Sequence, residues 1–319
     1  MSSVEARRMS ALSLGAFSLA RAVPSVRRVA HRRVVSIVAA AAADAVLPPA
    51  HDGIVEASSV HSSSLASMHL SPPRLPPKPL IYLNATCPFA QKAWIALLEK
   101  DVDFDATFED LRNKSPAMCA SYKSATPDPE SPAKVPIFIH EGQTMIESGL
   151  VAKYVATAFD GGNDILPATP AEEYAGALFA ETFNAITPAY FKALRAQSQE
   201  EVDAALDSIR AVLKASDRAL TLSGDKPGPF AAGDRYTLAD VLTSPMLPRV
   251  SVVLGHFRGF QLSKEVKALG LTRLEAWMDA VMWRPSMTAS LARAAEEHGT
   301  DICTALIDHS TKFVSWPKS

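Results

Sequence analysis

The sequence predicts an α/β domain with the element order βαβ-ββα, followed by an all-helical domain. Short apolar runs rich in β-prone residues, bounded by turn residues, occur between positions 80 and 146. From about 169 to 296, apolar residues recur at helical spacing and no convincing strand pattern interrupts them. The 319 residues are enough for two ordinary domains, and 48% hydrophobic with 21% charged residues is typical of a globular protein.

The composition excludes several classes of protein. It rules out a wholly disordered chain, a collagen and a disulfide-stapled miniprotein. Three scattered cysteines, Cys87, Cys119 and Cys303, are too few for a disulfide framework or a zinc cluster, so we expect no metal site and a reducing compartment. The net charge of -2 argues against nucleic-acid binding. No uncharged apolar run reaches about 18 residues, so we expect no membrane-spanning helix.

The first 79 residues differ from the rest of the chain. Residues 1–70 contain seven arginines and only four acidic residues, and the first forty are rich in Ser, Ala and Val. This composition is typical of an organelle transit peptide, with cleavage expected near Ala39–Ala43. An untargeted disordered tail is the alternative. Residues 56–79 are dominated by serine and proline, which predicts a disordered linker.

The predicted α/β domain covers residues 80–165. Proline at position 88 favours a helix start there, because the missing N–H of the first helical residue would be unpaired in any case. Glu141-Gly142 lies between two apolar runs and predicts a hairpin turn. Ser148 is expected to cap the last helix. The predicted elements are strand Leu80–Leu83, helix Pro88 to about Lys100, strand Val102–Phe108, a short helix around Ala117–Tyr122, a hairpin from Val135 to Ile146, and the helix starting at Ser148.

The predicted helical domain covers residues 166–300. Thr237 with Asp240 forms an acidic variant of the capping box, which places a helix start between them. Long helical patterns precede it, and another begins at Leu274 and ends before Pro285. The segment after Glu296 gives no assignment, and residues 301–319 are treated as a C-terminal tail.

Several motifs in this order resemble the soluble glutathione transferase superfamily. They are Cys87-Pro88-Phe89-Ala90, Val135-Pro136, Glu147-Ser148, Leu178–Asn184 (LFAETFN) and Gly233–Asp240 (GDRYTLAD). The string CPFAQKAWI is most similar to the cysteine-bearing lambda class, with the omega class next. The resemblance covers roughly 80–296. It implies a thioredoxin-like N-terminal domain, an all-helical glutathione transferase C-terminal domain, and glutathione as co-substrate.

Cys87 is the candidate catalytic residue. It stands at a helix start, where unpaired N–H groups and the helix dipole favour a thiolate. A buried, inert cysteine is the alternative, and it is the commoner fate of this residue type. Position 90 is Ala, so no second cysteine completes a dithiol pair. A monothiol mechanism then needs an external thiol, and glutathione would supply it.

The resemblance also implies where glutathione binds. Pro136 corresponds to the family's cis-proline, which leaves the N–H and C=O of Val135 free for a peptide ligand. Glu147 and Ser148 suit the ammonium and carboxylate of a γ-glutamyl group. The remaining predicted glutathione contacts are Phe89, Lys114 and Lys134, the lysines pairing with the glycyl carboxylate. Helical spacing predicts a second-substrate pocket walled by Phe179, Phe183 and Tyr236.

Two classes of function follow from these residues. The first is a glutathione-dependent thiol transferase that removes glutathione from mixed disulfides or small-molecule adducts, with dehydroascorbate reduction as a related activity. The second is a binding protein: a carrier of glutathionylated heterocycles, or a chloride-channel-like relative. The expected partners are glutathione and a glutathionylated small molecule or protein, without nucleic acid or membrane insertion. The acceptor and the oligomeric state stay open. A plastid is the favoured location, with mitochondrion and cytosol as alternatives.

The transit-peptide interpretation makes a direct prediction. Residues 1 to about 40 are expected to be absent from the mature protein and unnecessary for folding. N-terminal sequencing of the protein from its own cells checks this. A mature chain that still begins at Met1 or Ser2 would contradict it.

Overall fold

The computed structural model describes residues 78–222 and 228–316. The predicted transit peptide, and the predicted linker up to residue 77, lie outside the described residues. The predicted domain limits at 79/80 and 165/166 therefore stay predictions, although the order of elements within the described chain is clear. An α/β part with a four-stranded sheet is followed by a part built only of helices.

The α/β part has the predicted thioredoxin-like order. Its sheet runs β2-β1-β3-β4, with β1 parallel to β2 and antiparallel to β3, and β3 antiparallel to β4. The β3–β4 hairpin turns at Glu141 and Gly142, both with positive φ, as the favoured two-residue hairpin turn requires. The elements are β1 Leu80–Leu83, α1 Pro88–Glu99, β2 Asp105–Phe108, α2 Pro116–Ala125, β3 Ile137–His140, β4 Gln143–Met145 and α3 Ser148–Ala158.

Several predicted boundaries differ in the structure, among them the start of β2 and the cap of α3. Strand β2 begins at Asp105 rather than Val102, because residues 102–104 precede the first pairing with β1. Helix α3 begins with Ser148 as its first helical residue, and the cap position is Glu147. The expectation that Ser148 caps α3 was therefore wrong by one residue. Another serine does cap a helix in this fold: the side chain of Ser115 accepts a 3.1 Å hydrogen bond from the N–H of Met118 at the start of α2.

The helical part contains the predicted helices and three that the sequence did not indicate, Leu262–Ala268, Pro285–His298 and Ile302–Thr311. Helix α11 occupies the segment treated as a tail, and Asp301 caps it by accepting from the N–H groups of Cys303 and Thr304. A π-helical turn, Arg249–Val253, interrupts α7. The helices are α4 Pro170–Asn184, α5 Ile186–Arg195, α6 Gln199–Leu222, α7 Leu238–Arg258, α8 Leu262–Ala268, α9 Thr272–Met282, α10 Pro285–His298 and α11 Ile302–Thr311.

An aromatic cluster and a buried carboxylate organise this helical core. The rings of Phe179 and Phe183 meet the indole of Trp277 edge-on, at centroid distances of 4.8 and 5.0 Å. Asp240 accepts hydrogen bonds from Trp277 Nε1 and from the backbone N–H groups of Thr237 and Ala231, all within 2.8–2.9 Å. The predicted capping box is thus present. Its carboxylate also satisfies the indole N–H of the aromatic cluster, so one buried charge serves both elements.

Helix α7 is long and apolar enough to cross a membrane by length and composition, with a mean hydropathy of 1.2 over its most apolar window. Within the described residues it is the one helix that passes this test. However, 72% of that window is buried inside the fold. The apolar surface of α7 is therefore used for packing against the other helices.

Helix α1 is fastened to the helical part through Glu99 at its C-terminal end. The Glu99 carboxylate is almost fully buried and accepts hydrogen bonds from Arg284 Nε at 2.9 Å and Nη2 at 2.7 Å. Ser286 and Asn163 donate further hydrogen bonds to it. Gly162 packs so closely here that a Cβ would stand 2.2 Å from the Glu99 carbonyl oxygen. Burial tends to raise the pKa of Glu99, but these hydrogen bonds and the Arg284 charge outweigh it and hold the pKa below its usual value.

The buried Glu99 carboxylate makes the free energy of unfolding depend on pH in a defined direction. Because the pKa of Glu99 is lower in the folded chain than in the unfolded chain, its contribution is complete above about pH 5 and is lost as the pH falls. Glu99→Gln should lower the free energy of unfolding by about 3–5 kcal/mol at pH 7, and by clearly less near pH 3. Denaturant titrations at several pH values measure this difference.

The matched control is Asp103→Asn, whose carboxylate forms an exposed ion pair with Lys78. An exposed pair contributes little at any pH. A Glu99→Gln penalty that is equal at pH 7 and pH 3 would contradict the role given to this carboxylate.

Candidate functional site

A groove of about 490 Å³ opens beside the N-terminal end of α1. This size suits a small peptide-like molecule. The groove gathers residues from β1–α1, the loop after β2, the start of β3 and the start of α3. Its lining contains every residue that the sequence predicted for catalysis and glutathione binding: Cys87, Phe89, Lys114, Lys134, Val135, Pro136, Glu147 and Ser148. Leu111, Tyr122 and Ala133 complete it, and the sequence did not single these out.

Cys87 occupies the N-cap position of α1. Its N–H donates to the Asn84 carbonyl at 3.1 Å, and its own carbonyl accepts from the N–H of Gln91. Asn84 is itself held by a 3.0 Å hydrogen bond from its side-chain amide to the Glu109 carbonyl at the end of β2. The turn between β1 and α1 is therefore fixed on both sides, and it presents a thiol that is 8% exposed to the groove.

The environment of this thiol differs from the expectation of a lowered pKa. Burial raises the pKa of Cys87 above its ordinary value. The N–H groups of Phe89 and Ala90 and the charges of Arg249 and Lys312 oppose that rise without cancelling it. Neither N–H completes a hydrogen bond to Sγ, so they act as partial charges at the helix end. The sequence argument counted the helix end and missed the burial. The expectation that the helix start alone favours a thiolate at Cys87 therefore loses its basis.

The Val135–Pro136 peptide bond is cis, as the resemblance implied. Val135 is 7% exposed and lines the groove. Among the described residues, neither its N–H nor its C=O has a hydrogen-bond partner. Buried backbone groups are almost always paired in folded proteins. Two unpaired backbone groups in a groove wall are therefore available to a ligand that can both donate and accept, such as a peptide.

Glu147 has a strained backbone at the junction of β4 and α3. Its φ is 67° and its ψ 106°, a region that residues with a Cβ rarely occupy. Its exposed carboxylate has no hydrogen-bond or ion-pair partner among the described residues, and it lies beside the unpaired first-turn N–H groups of α3, where Ser148 begins the helix. The position combines an anion with helix N–H donors. It can therefore bind an ammonium group and a carboxylate side by side.

The other predicted contacts lie around the same groove. Lys114 and Lys134 form no ion pair within the part of the chain that the structure describes, so both charges are free for an anionic ligand group. Phe89 is 38% exposed, and its ring centroid lies 5.7 Å from the ammonium of Lys92. No cluster of three His, Cys, Asp or Glu suited to a metal ion occurs among the described residues.

The predicted second-substrate residues are not at the groove. Phe179 and Phe183 have no exposed surface and belong to the aromatic cluster around Trp277. Tyr236 is 5% exposed and packs under the guanidinium of Arg284, 4.5 Å from its ring centroid. Helical periodicity identified their shared buried face correctly, but it could not tell a core from a pocket wall.

A second cavity of about 350 Å³ lies next to the groove and shares Leu111 with it. Its walls come from the turn after β1, the loop after β2, and helices α10 and α11. Charged and imidazole side chains make up much of this lining: Glu109, Asp110, Arg112, Glu297, His298, Asp308, His309 and Lys312. Helix α11, which sequence reasoning left as a tail, thus forms one side of this cavity.

Comparison with known proteins identifies the family. The family model described as "Glutathione S-transferase, N-terminal domain" matches residues 86–158, and "Glutathione S-transferase, C-terminal domain" matches residues 192–280. The maize protein IN2-1 is 31% identical over 206 residues, which cover 63% of this chain and 77% of that protein. The chain belongs to the glutathione S-transferase family. The predicted superfamily, its two-part fold and glutathione as the co-substrate of the family are thereby confirmed.

Other relatives lie in several branches of this family. The chloroplastic glutathione S-transferase L2 of Arabidopsis thaliana is 29% identical over 54% of each chain. The probable cytosolic glutathione S-transferase DHAR1 of rice is 25% identical, covering 66% of this chain and 86% of that one. The crystal structure of omega-class transferase 3C from Trametes versicolor superposes with a TM-score of 0.56 at 21% identity, covering 68% of this chain and 90% of that one. That structural likeness supports the fold; the lambda class stays a prediction.

The strained conformation of Glu147 allows a test that needs no ligand. Glycine adopts positive φ without the steric cost that a Cβ brings. Glu147→Gly should therefore raise the free energy of unfolding by about 1 kcal/mol, since relief of strain exceeds the added freedom of the unfolded chain. Glu147→Ala keeps the Cβ and serves as control. Equal unfolding midpoints for the Gly and Ala variants would show that no strain is stored there.

Proposed function

We propose that this protein is a glutathione-dependent thiol transferase that works through Cys87 alone. The observation that carries the proposal is the position of this thiol: it stands at the start of α1, in a groove lined by unpaired groups that complement a γ-glutamyl peptide. Position 90, one helical turn on, is Ala, so no neighbouring cysteine can resolve a disulfide within the site. Cys119 and Cys303 are free thiols outside the groove lining.

The reaction follows from a single thiolate. Cys87 Sγ, after losing its proton, attacks the glutathione sulfur of a mixed disulfide. The S–S bond to the substrate breaks, and the released substrate sulfur takes up a proton. Cys87 now carries glutathione in a disulfide. The thiolate of a second glutathione attacks the sulfur of the bound glutathione, releases oxidised glutathione and restores the Cys87 thiolate. The substrate disulfide is reduced, and two glutathione units leave as one disulfide.

The groove suits the tripeptide at three places along its length. Glu147 and the helix start at Ser148 would hold the ammonium and carboxylate of the γ-glutamyl end. The free N–H and C=O of Val135 would pair with the cysteinyl backbone, which brings the glutathione sulfur towards Cys87. The ammonium groups of Lys114 and Lys134 would pair with the glycyl carboxylate in a partly exposed setting.

We also propose an acceptor substrate, a class within the family and a location in the cell. A dehydroascorbate substrate is supported by the relative named DHAR1, and a lambda-class assignment by the relative named L2 and by the CPFAQKAWI string. The cavity next to the groove, with its mixed charges, is the proposed acceptor site. A plastid location rests on the basic, serine-rich start and on the chloroplastic relative, while the DHAR1 relative is named cytosolic. A glutathionylated carrier role is the competing function.

Loss of one sulfur should abolish the activity. Cys87→Ser is expected to lower thiol transfer with a glutathionylated model disulfide by about two orders of magnitude or more, because a serine hydroxyl cannot form the enzyme disulfide. Cys119→Ser and Cys303→Ser are the controls and should stay within a few-fold of the unchanged enzyme. Full activity of Cys87→Ser, with Cys119→Ser inactive, would overturn the assignment.

Product analysis separates the enzyme from the carrier. A glutathione adduct incubated with the protein and free glutathione should appear as the free thiol and oxidised glutathione, one of each per turnover. Mass spectrometry of the protein should also show glutathione attached at Cys87 when the second glutathione is withheld. An adduct that binds and is recovered unchanged would favour the carrier.

A further inference from the structure

Arg249 is a buried guanidinium that reaches from the helical part to the residue before Cys87. Its Nη2 donates to the Thr86 carbonyl at 2.8 Å, and its Nη1 donates to the Pro245 carbonyl at 2.7 Å and to Gln91 Oε1. Its Nε has no partner. The side chain is 3% exposed. Arg249 therefore touches α1 and the turn that carries Cys87, while its own backbone belongs to α7.

This guanidinium has no carboxylate partner among the described residues. All of its acceptors are neutral oxygens, whereas the half-buried Arg284 pairs with Glu99. A buried cation without a counter-ion is costly, and folded proteins normally pair such charges. Burial lowers the pKa of Arg249 to about 10, which still leaves it charged at neutral pH. The groups that favour its charge are Cys87 and Tyr190.

Of these two groups, Cys87 is the one that loses its proton in the proposed reaction. Burial raises the pKa of the Tyr190 phenol, so Tyr190 stays neutral. Burial also lowers the pKa of His309 on α11 to about 4, so its imidazole adds no positive charge at neutral pH. The remaining charged groups that act on Cys87 are Lys312, which is exposed beyond α11, and Lys92 on α1, which is half-buried.

We infer that Arg249 is a positioning residue for Cys87. The buried guanidinium of Arg249 fixes the Thr86–Cys87 turn and serves as the counter-ion of the thiolate once Cys87 loses its proton. The inference rests on the proposed function, because it assigns the buried charge a purpose only when Cys87 loses its proton during exchange. The interrupted helix supports it: Arg249 is the first residue of the π-helical turn in α7, and such turns are frequent at functional sites.

The charge also explains how a buried thiol could remain reactive. Burial disfavours the thiolate, and the helix end compensates only in part. A neighbouring cation favours the thiolate, and the charge of Arg249 acts to lower the pKa of Cys87. With Arg249 in place, proton loss from Cys87 creates a neutral pair out of a lone cation, so the cost of burying the cation is partly recovered in the thiolate state.

The test measures ionisation of Cys87 itself. In a Cys119→Ser/Cys303→Ser background, the rate of alkylation by iodoacetamide is followed against pH, so that the single remaining cysteine reports. Arg249→Gln keeps hydrogen-bonding capacity and removes the charge; its midpoint should rise by about one pH unit or more. Arg258→Met, which loses hydrogen bonds to the carbonyls of Ala193 and Leu194, is the structural control and should leave the midpoint unchanged.

A second variant decides the matter even if Arg249→Gln fails to fold. Lys92→Met/Lys312→Met removes the other two cations, and its midpoint should stay within about half a unit of the parent. A rise of about one unit in this variant, or no rise in folded Arg249→Gln, would overturn the inference. Failure of the proposed function looks different: Cys87→Ser would then keep thiol transfer, whatever the alkylation midpoints are.

Discussion

Burial of helix α1 between the sheet and the helical part is the constraint on which the site depends. The helix is tied at both ends by groups from the C-terminal half: Glu99 by Arg284, and the turn before Cys87 by Arg249. Between them, Gln91 donates to Ser290 of α10. A thiol at a helix end without such hydrogen bonds would move together with the loop that precedes it. Here the two ends are held by buried hydrogen bonds, so the thiol keeps one position relative to the groove wall.

The same burial sets the chemistry of the thiol against the usual expectation for a helix start. A helix end favours a thiolate, while removal from water favours the neutral thiol. In this fold the second effect is the larger at Cys87, and the helix N–H groups of Ala90 and Phe89 and the charges of Arg249 and Lys312 oppose it without cancelling it. The groove therefore combines a rigid thiol with binding groups that are unpaired in the protein: the backbone of Val135, the carboxylate of Glu147 and the lysine ammoniums. In the proposed function, specificity for a peptide substrate would come from those unpaired groups rather than from shape alone.

Local patterns in the sequence predicted local structure well. The alternation around Glu141-Gly142 gave the hairpin, and proline at position 88 gave the start of α1. Motif resemblance brought the eight groove residues together, because each motif sits at a strand or helix end that the family fold assembles. What failed depended on distant packing. Phe179 and Phe183 lie on an apolar helical face that the sequence took for a pocket wall, yet Trp277, almost a hundred positions away in sequence, packs against them. Arg249 and the capped helix after Asp301 carried no local signal of their partners.

The Glu99–Arg284 pair has a consequence for how such proteins can be recombined. Each half supplies only part of a charge pair that is satisfied in the assembled chain. If the helical half were exchanged for that of a relative without an arginine at this point, a carboxylate would be left buried and alone, which is among the most destabilising changes a fold can suffer. The two halves look modular in their element order. The buried charge pair nevertheless links the two halves, so a chimera would need to contain both Glu99 and Arg284.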